Sequence, residues 1–347
     1  MTPTFTTAAA LFGSWLADVE SGEPPVRFQL LPPFAGLDLR PGRLALFGGA
    51  PGGGKTAALL QMGIDLLRMN DGAKLLVCNV EMHPTCLLER VAARVSGVPL
   101  TAIQDRTPTG DELARVRAAV TALEPVAGRL AFLSAPYTLE HVAAAGTDFG
   151  ANVMMLDYIQ RIGTGTGAKD QREQLESAAT VCRNFCDMGA VVLVASAVSR
   201  QKGNTGSNYS GLNLASFRGS SELEYGADSA YLFVPGEGDV VTLECGKNRY
   251  GAVTDIVTVF DRATQTFTAA PAGLGGFDAA TPAATRPTTR RRGADDATPD
   301  DDGGEGTARR SSAAGRRPPR RPRGTAAGEP GEDLEGDDAG QGEGRPG

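Results

Sequence analysis

One short segment constrains the fold more than any other. Residues 47–61 read FGGAPGGGKTAALLQ, a glycine-rich loop between an apolar run and an amphipathic one. Residues 49–56 match the pattern GxxxxGK(S/T), which ends here in Lys55 and Thr56. Glycines let backbone N–H groups converge on phosphate oxygens at the start of a helix, where the helix dipole also favours anions. The segment therefore predicts a strand, a phosphate-binding loop and a helix, in that order.

Eight residues make up the predicted nucleotide-binding loop: Gly49, Ala50, Pro51, Gly52, Gly53, Gly54, Lys55 and Thr56. In loops of this type the lysine reaches the β- and γ-phosphates, and the threonine hydroxyl ligates Mg²⁺. ATP and Mg²⁺ are therefore the predicted ligands.

Apolar runs alternate with helical patterns over most of the chain. RLALFGG, KLLVCNV, NVMMLDYI and AVVLVASA are largely apolar runs, separated by helical patterns. This alternation is typical of a parallel sheet with helices on both faces. After Ser221 the runs SAYLFVP, DVVTLECGKN and AVTDIVTVFD indicate antiparallel strands that extend the sheet. The predicted fold is α/β: one domain over residues 25–270, with a mostly parallel central sheet flanked by helices and continued by C-terminal antiparallel strands.

The two ends of the chain differ from this domain. Residues 1–24 contain a predicted helix with Leu11, Trp15 and Leu16 on one side. This apolar stripe needs a surface to pack on, which either its own domain or a neighbouring chain would supply. Residues 271–347 are predicted to be disordered, because their Gly, Pro, Ala and charged residues cannot bury enough apolar area to offset the entropy of ordering. The arginine clusters of this tail either solvate it or bind a partner.

Composition limits the classes of partner and the location. The formal net charge of −7 argues against a broad basic nucleic-acid face but leaves room for a local basic channel. We recognise no signal peptide and no apolar run of the roughly 20 residues that span a bilayer, so a cytoplasmic protein without a membrane partner is predicted. Most of the five cysteines resemble reduced core thiols. A zinc site built from Cys182, Cys186, His83 and Cys86 is the alternative, disfavoured because no paired CxxC motif exists.

Two acids follow buried strands. Asp157 closes the run in VMMLDYIQ, so we expect its side chain at the carboxyl edge of the sheet beside the phosphate loop, where it could hold a metal. Glu81 follows LLVCNV and could orient the water that hydrolysis needs. The alternatives are a chance acid at a strand end for Asp157 and a cap on the next helix for Glu81.

Four features occur in a characteristic order: the phosphate loop, a strand ending in Glu-Met, a strand ending in Asp-Tyr-x-Gln, and a Gly-Lys-x-Arg-x-Gly hairpin in ECGKNRYGA. Together they resemble the RecA-like motor domain of DnaB-type replicative helicases, over residues 34–267. The resemblance implies a RecA-like P-loop fold and ATP-driven translocation on single-stranded DNA. It also implies a hexameric ring that holds the nucleotide between neighbouring subunits.

The resemblance further implies roles for single residues. The implied catalytic residues are Lys55, Glu81, Lys247 and Arg249. Glu81 would polarise the water and Asp157 would complete the metal's shell, while Lys247 and Arg249 would reach the γ-phosphate bound to the next subunit. A plain basic turn is the alternative for this hairpin.

Two further segments resemble family motifs. Arg90 falls where the family has an arginine after the Glu-Met turn, with a surface ion pair as the alternative. The run FRGSSELEYGAD resembles the segment after the DNA-binding loop, with Arg218, Glu224 and Asp228 at matching positions.

Two polar loops, GTGTGAKDQR and SRQKGNTGSNYSGLNLASFR, are predicted to face the channel of the ring. Their candidate DNA-binding cations are Lys169, Arg172, Arg200, Lys202 and Arg218. Mobile loops with a few cations suit the tracking of a single-stranded backbone, and solvated surface loops are the alternative.

Two departures from the family affect the prediction. Only some 30 residues precede the motor domain, which makes coupling to primase doubtful and favours an accessory helicase, for example of a phage or another mobile element. Ala197 stands where the family typically has a glutamine that senses the γ-phosphate, which predicts coupling that is weaker or differently wired. A RecA-like regulatory or assembly ATPase that acts on protein partners is therefore the alternative. A small-molecule kinase fits poorly, because the hairpin and the long central loop would have no role.

Overall fold

The protein, represented by a computed structural model, is described for residues 5–163, 171–198, 201–203, 206–208, 217 and 221–271. The chain divides into two compact units, Met1–Pro287 and Thr288–Gly347, and all described residues belong to the first. Apart from residue 271, the tail predicted to be disordered lies outside the described residues.

The described residues form helices and strands in an alternating order over most of the chain. The helices are α1 (Ala8–Ser21), α2 (Lys55–Met69), α3 (Pro84–Ser96), α4 (Leu100–Gln104), α5 (Gly110–Ala127), α6 (Leu139–Phe149), α7 (Gln171–Asp187) and α8 (Ser221–Gly226). The strands are β1 (Leu44–Gly49), β2 (Leu75–Asn79), β3 (Leu130–Phe132), β4 (Val153–Asp157), β5 (Val191–Ala197), β6 (Gln201–Gly203), β7 (Gly206–Asn208), β8 (Ser229–Pro235), β9 (Val240–Asn248), β10 (Ile256–Asp261) and β11 (Thr266–Ala269).

Nine of these strands form one sheet in the order β11-β10-β9-β8-β1-β5-β4-β2-β3. The pairs from β8 through β1 to β3 are parallel, whereas β8, β9, β10 and β11 pair in antiparallel fashion. This architecture confirms the α/β class, the mostly parallel sheet and the antiparallel C-terminal strands.

The central strands are buried on both faces because helices cover each side of the sheet. Along β1, Ala45 and Phe47 join a core cluster that includes apolar residues of α2 and α3, while Leu44 and Leu46 join a cluster that includes residues of α6 and α7. Side chains alternate between the faces of a strand, so a run that is apolar throughout fills both cores. Packing between two layers of helices therefore holds the ends of the central strands in place.

The two edges of the sheet carry different residues. Parallel register brings the ends of β1, β5, β4 and β2 together at one edge, with Gly49 beside Ala197 and Asn79 beside Asp157. We call this the carboxyl edge. β9 runs against β8, so its last residue, Asn248, lies opposite Ser229 at the other end of the strands. We call this second position the hairpin edge.

The N-terminal helix α1 has no buried residue, and its apolar side chains are exposed, Trp15 by 60%. Thr7 caps its start by accepting a hydrogen bond from the Ala10 N–H, and Gly22 ends it in the left-handed conformation. Within the part of the chain that the structure describes, no helix combines the length and apolar character needed to cross a membrane.

Candidate nucleotide site

The predicted phosphate loop runs from the end of β1 into α2 and rests on an aromatic wall. Gly52 and Gly54 have positive φ angles of 74° and 85°, in the left-handed region that favours glycine. A Cβ atom on Gly54 would lie 2.7 Å from Cζ of Phe267. The ring of Phe267 stacks on that of Phe260 with centroids 4.3 Å apart. Aromatic rings of the antiparallel strands β10 and β11 therefore fill the space next to Gly54.

Lys55 lies across this loop. Its Nζ donates hydrogen bonds of 2.8 Å to the carbonyl oxygens of both Gly49 and Ala50. Burial lowers the pKa of the ammonium, and the charges of Asp157 and Glu81 oppose that shift. The lysine ammonium thus lies against two carbonyl oxygens of the loop, within electrostatic range of both predicted carboxylates.

Thr56, Asp157 and Asn79 meet at the carboxyl edge. The hydroxyl of Thr56 donates to Oδ2 of Asp157 at 2.6 Å, and Nδ2 of Asn79 donates to the same oxygen at 2.8 Å. Burial raises the pKa of Asp157, opposed by the hydrogen bond from Thr56 and the charge of Lys55. A hydroxyl and a carboxylate are the hard oxygen donors that Mg²⁺ prefers, so this pair fits the predicted metal.

Glu81 lies on the turn between β2 and α3. Its backbone N–H and that of Met82 donate to Oδ1 of Asn79, at 3.0 and 2.8 Å. The alternative role of Glu81 as a helix cap is not what the structure has, because His83 caps α3 by accepting from the N–H of Thr85. Glu81 is exposed, and its charge acts on both Lys55 and Asp157. The charge of Glu81 therefore acts at the carboxyl edge beside the phosphate loop.

Arg90 contacts a buried amide in the described structure, where the sequence left a surface ion pair open. It donates to Oε1 of Gln265, a residue of the β10–β11 turn that is 9% exposed. Four residues further on, Arg94 pairs with Asp65 of α2 at 2.6 Å. These partly buried contacts join α3 to the phosphate-loop helix and to the antiparallel strands.

The two cations predicted to contact a γ-phosphate lie at the hairpin edge, in residues 244–252, which we call the finger hairpin. Nζ of Lys247 donates to the carbonyl oxygens of Glu224 and Tyr225, at 2.7 and 3.0 Å. The guanidinium of Arg249 donates to the Tyr225 carbonyl at 3.1 Å and to Oδ1 of Asp228 at 3.0 Å. Burial, followed by the charge of Arg249, lowers the pKa of Lys247. The carboxyl end of α8 thus holds both cations on one side of the domain.

Asp228 anchors this arrangement. It is 2% exposed, and its second oxygen pairs with Arg183 of α7 at 3.0 Å and accepts from the N–H of Leu44 at 3.0 Å. In the sequence, Asp228 was identified only as matching a position of the family segment, and its contact with Arg183 was not predicted. Arg183 and Asp228 are 45 residues apart, so no local sequence pattern predicts their contact.

The finger hairpin cannot reach the phosphate loop of its own chain. β1 separates the two edges, and at about 3.3 Å per residue its six residues span roughly 20 Å. Lys247 and Arg249 are therefore brought together with each other, but not with Lys55, Glu81 or Asp157.

Comparison with known proteins identifies the family. The family model described as the DnaB-like helicase C terminal domain matches residues 34–269 of this chain. The chain belongs to this family. Its fold also resembles solved structures: one ATPase domain aligns with a TM-score of 0.67 and 15% identity, covering 77% of this chain and 100% of that one. No curated protein matches the chain.

A second solved structure, of a DnaB-like replicative helicase and its interactions with primase, aligns with a TM-score of 0.64 and 16% identity. The match covers 77% of this chain and 67% of that one. At such identities these structures share the fold. The DnaB-type motor domain predicted from four motifs is thereby confirmed at the level of family and fold, and this chain carries the ATPase domain of a DnaB-like helicase.

In this DnaB-like domain the position of Ala197 has a polar neighbour that the sequence did not reveal. Gln160 donates from Nε2 to the hydroxyl of Ser196 at 2.7 Å, and its Oε1 accepts from the N–H of Ala197 at 3.1 Å. Gln160 belongs to a short 3-10 turn, Ile159–Arg161, just after Asp157. The side-chain amide of Gln160 therefore joins the end of β5 to the turn that follows β4.

The predicted DNA-binding residues of this DnaB-like domain are not tested by the geometry. Lys169, Arg200 and Arg218 lie outside the described residues. Arg172 falls in α7 and Lys202 in β6, where only the backbone is described. The set stays a prediction.

Proposed function

We propose that this chain is a ring-forming motor of the DnaB-like helicase type, which hydrolyses ATP between subunits and acts on single-stranded DNA in replication or repair. The observation that carries the proposal is the location of the finger hairpin at the edge opposite the phosphate loop. A chain that holds the two halves of a nucleotide site on opposite edges can complete that site only with a second copy.

One half of the site comes from the carboxyl edge. The loop of residues 49–56 would hold the phosphates through its N–H groups, and Lys55 would exchange its two carbonyl partners for phosphate oxygens. Glu81 would orient the attacking water, since its side chain is exposed and its charge is close enough to Lys55 to act on the pKa of that lysine. Thr56 and Asp157 would hold Mg²⁺, which neutralises the charge that develops on the phosphates.

The other half comes from the neighbour's hairpin. Among the described residues, Arg249 donates two hydrogen bonds from its five guanidinium N–H groups, and Lys247 donates two from its three N–H groups. Donors therefore remain for a phosphate oxygen of the next subunit. A cation supplied in this way makes hydrolysis depend on assembly, and we propose a closed hexameric ring as that assembly.

Single-stranded DNA is the proposed substrate along which the motor moves. Family membership and the few cations in the two polar loops support this proposal. The test is the rate of ATP hydrolysis with and without single-stranded DNA, over a series of salt concentrations. We expect a stimulation of at least several-fold that declines as salt rises, since contacts to a phosphate backbone are screened and release counterions.

A regulatory ATPase that acts on a protein partner is the second candidate, favoured by the acidic net charge and by Ala197. It would hydrolyse ATP without any response to DNA. Active enzyme with no stimulation and no salt-sensitive DNA binding would reject the DNA motor and favour this second function. Coupling to primase is not part of either proposal.

A further inference from the structure

Asn79 is the last residue of β2, pairs in register with Asp157, and is 4% exposed. The amide lies between the metal-side carboxylate and the turn that carries Glu81. We infer that Asn79 is a positioning residue, which fixes Asp157 and Glu81 relative to each other for ATP hydrolysis. The inference rests on the proposed function in one respect, that ATP is hydrolysed at this site.

The contacts of Asn79 determine which way its amide points. Nδ2 donates to Oδ2 of Asp157 at 2.8 Å, while Oδ1 accepts from the backbone N–H groups of Glu81 and Met82. The opposite orientation would set the amide oxygen against a carboxylate and the amide N–H groups against two donors. Both lone pairs of the oxygen are used, so the side chain is held on two sides.

Few other side chains meet both requirements. Aspartate would keep the two acceptor bonds to the turn, but would put a second carboxylate against Asp157. Alanine would leave the N–H groups of Glu81 and Met82 without their acceptor and Asp157 without one of its two donors. Asparagine combines an acceptor on one side with a donor on the other, at the length of this gap.

The link reaches three parts of the site. Oδ2 of Asp157 also accepts from Thr56, the second residue of α2. Asn79 is therefore linked to β4 and the phosphate-loop helix through one carboxylate oxygen of Asp157, and to the turn of Glu81 through its own amide oxygen. A shift of about 1 Å in a catalytic group can reduce a rate about 100-fold, because reacting atoms leave their productive geometry.

The chain offers a matched control in Asn152, which precedes the opposite end of β4. Its Oδ1 accepts from the N–H of Lys74 and its Nδ2 donates to the carbonyl of Gly72, both at 2.8 Å. Asn152 thus ties backbone segments together as Asn79 does, but far from the carboxyl edge. Its variants measure what the loss of a purely structural asparagine costs.

The experiment measures kcat, KM for ATP, Tm and the binding of ADP with aluminium fluoride, a mimic of the phosphoryl group in transfer. It compares Asn79→Ala and Asn79→Asp with Asn152→Ala and Asn152→Asp. For both Asn79 variants we expect kcat to fall on the order of 10- to 100-fold while KM changes less than about threefold. ADP alone should bind normally, and ADP with aluminium fluoride at least about tenfold more weakly. The Asn152 variants should keep kcat.

Wild-type kcat in Asn79→Ala, or an equal loss in Asn152→Ala, would overturn the positioning role. A loss confined to KM and Tm would do the same, because it would mark Asn79 as structural. Failure of the proposed function looks different: the wild type would hydrolyse ATP without a response to DNA, and the Asn79 comparison would still stand. A wild type that binds neither nucleotide form would overturn both.

Discussion

Two glycines of the phosphate loop have similar backbone angles but different surroundings. An alanine at either position meets a positive φ angle, which costs roughly 1–2 kcal/mol for a residue with a Cβ atom. At Gly54 the new methyl would also lie 2.7 Å from the ring of Phe267 and 3.0 Å from that of Phe260. At Gly52 no described atom beyond the adjacent residues would lie within 4 Å of the methyl. We expect Gly54→Ala to destabilise the fold by about 1–3 kcal/mol more than Gly52→Ala, since overpacking a filled core has that cost.

Urea unfolding of the two variants measures this difference, and the affinity for a fluorescent ATP analogue shows whether the loop still receives phosphate. The control adds Gly54→Ala to a Phe267→Ala background. There its cost in stability should be smaller than in the wild type, because the nearest ring is gone while Phe260 remains 3.0 Å away. Equal stability of the two single variants would show that the aromatic wall does not constrain the loop.

A second residue-scale comparison concerns the two acids that Arg183 contacts. Asp228 is buried and holds Arg183 and Arg249, whereas Asp187 is 65% exposed and lies 3.3 Å from Arg183. Breaking a buried pair leaves a charge without its partner, so we expect Asp228→Asn to lower the free energy of unfolding by roughly 2–4 kcal/mol, discounted for the partial exposure of both arginines. Asp187→Asn should change it by less than about 1 kcal/mol. Chemical denaturation gives both values, and similar losses would contradict the anchoring role of Asp228.

Among single residues, the sequence predicted the location of those that belong to a motif or that end an apolar strand. The loop glycines, Lys55 and the strand-end acids could be located because the carboxyl ends of parallel strands share one edge. Asn79 could not, since a single amide has no pattern and its partner depends on the register of two strands. Gln160 belongs to the Asp-Tyr-x-Gln motif, but the motif does not predict its hydrogen bonds to Ser196 and Ala197, which lie on another strand. A polar residue at the end of an otherwise apolar run was the signal available for Asn79.

At the scale of elements, the apolar strands were predictable, because burial on both faces leaves a continuous apolar run. Helix α5 is harder to predict, since few of its residues are buried and its apolar stripe is weak. Its start nevertheless carries a capping box, with Thr109 and Glu112 bonded to each other's backbone N–H groups. Antiparallel strands after Ser221 were predicted from short runs separated by turn-rich pieces. The position of the hairpin edge was not predicted, because it depends on the pairing of β9 with β8.

Helix α1 gives a prediction for a whole element. None of its residues is buried in the described structure, so its apolar side chains contribute no burial to the domain. We expect deletion of residues 1–21 to leave Tm within about 2 °C of the full chain, because little apolar area is lost from the folded state. We also expect the deletion to abolish the proposed ring, because the apolar stripe of α1 is exposed in the described structure and an adjacent subunit would supply a surface that covers it.

Sedimentation velocity and calorimetry on the truncated chain separate these two effects. A milder variant, Trp15→Ser, keeps the helix while removing its largest apolar side chain, and should weaken assembly in the same direction. A stable ring after deletion would remove α1 from the assembly, and a large fall in Tm would show that the helix packs on its own domain.

At the scale of the whole molecule, the two half-sites make a prediction about mixed subunits. Lys55→Ala destroys the loop half but keeps the hairpin, and Arg249→Ala does the reverse. In a random equal mixture, one half of the loops and one half of the hairpins remain intact, so about one interface in four pairs an intact loop with an intact hairpin. We therefore expect the mixture to recover up to roughly a quarter of the wild-type ATPase rate, although each variant alone is inactive.

The matched control mixes Lys55→Ala with Glu81→Ala. Both residues lie at the carboxyl edge of one chain, so every interface in this mixture carries a damaged loop half and no recovery is expected. Steady-state ATPase rates, measured after the subunits have exchanged, distinguish the two mixtures. If the ATPase rate recovers in neither mixture, the proposal of a site shared between subunits is rejected. Equal recovery in both mixtures would mean that the single variants retain residual activity. Recovery only in the first mixture requires the hairpin of one chain to act on the nucleotide of another, as the opposite edges of this sheet demand.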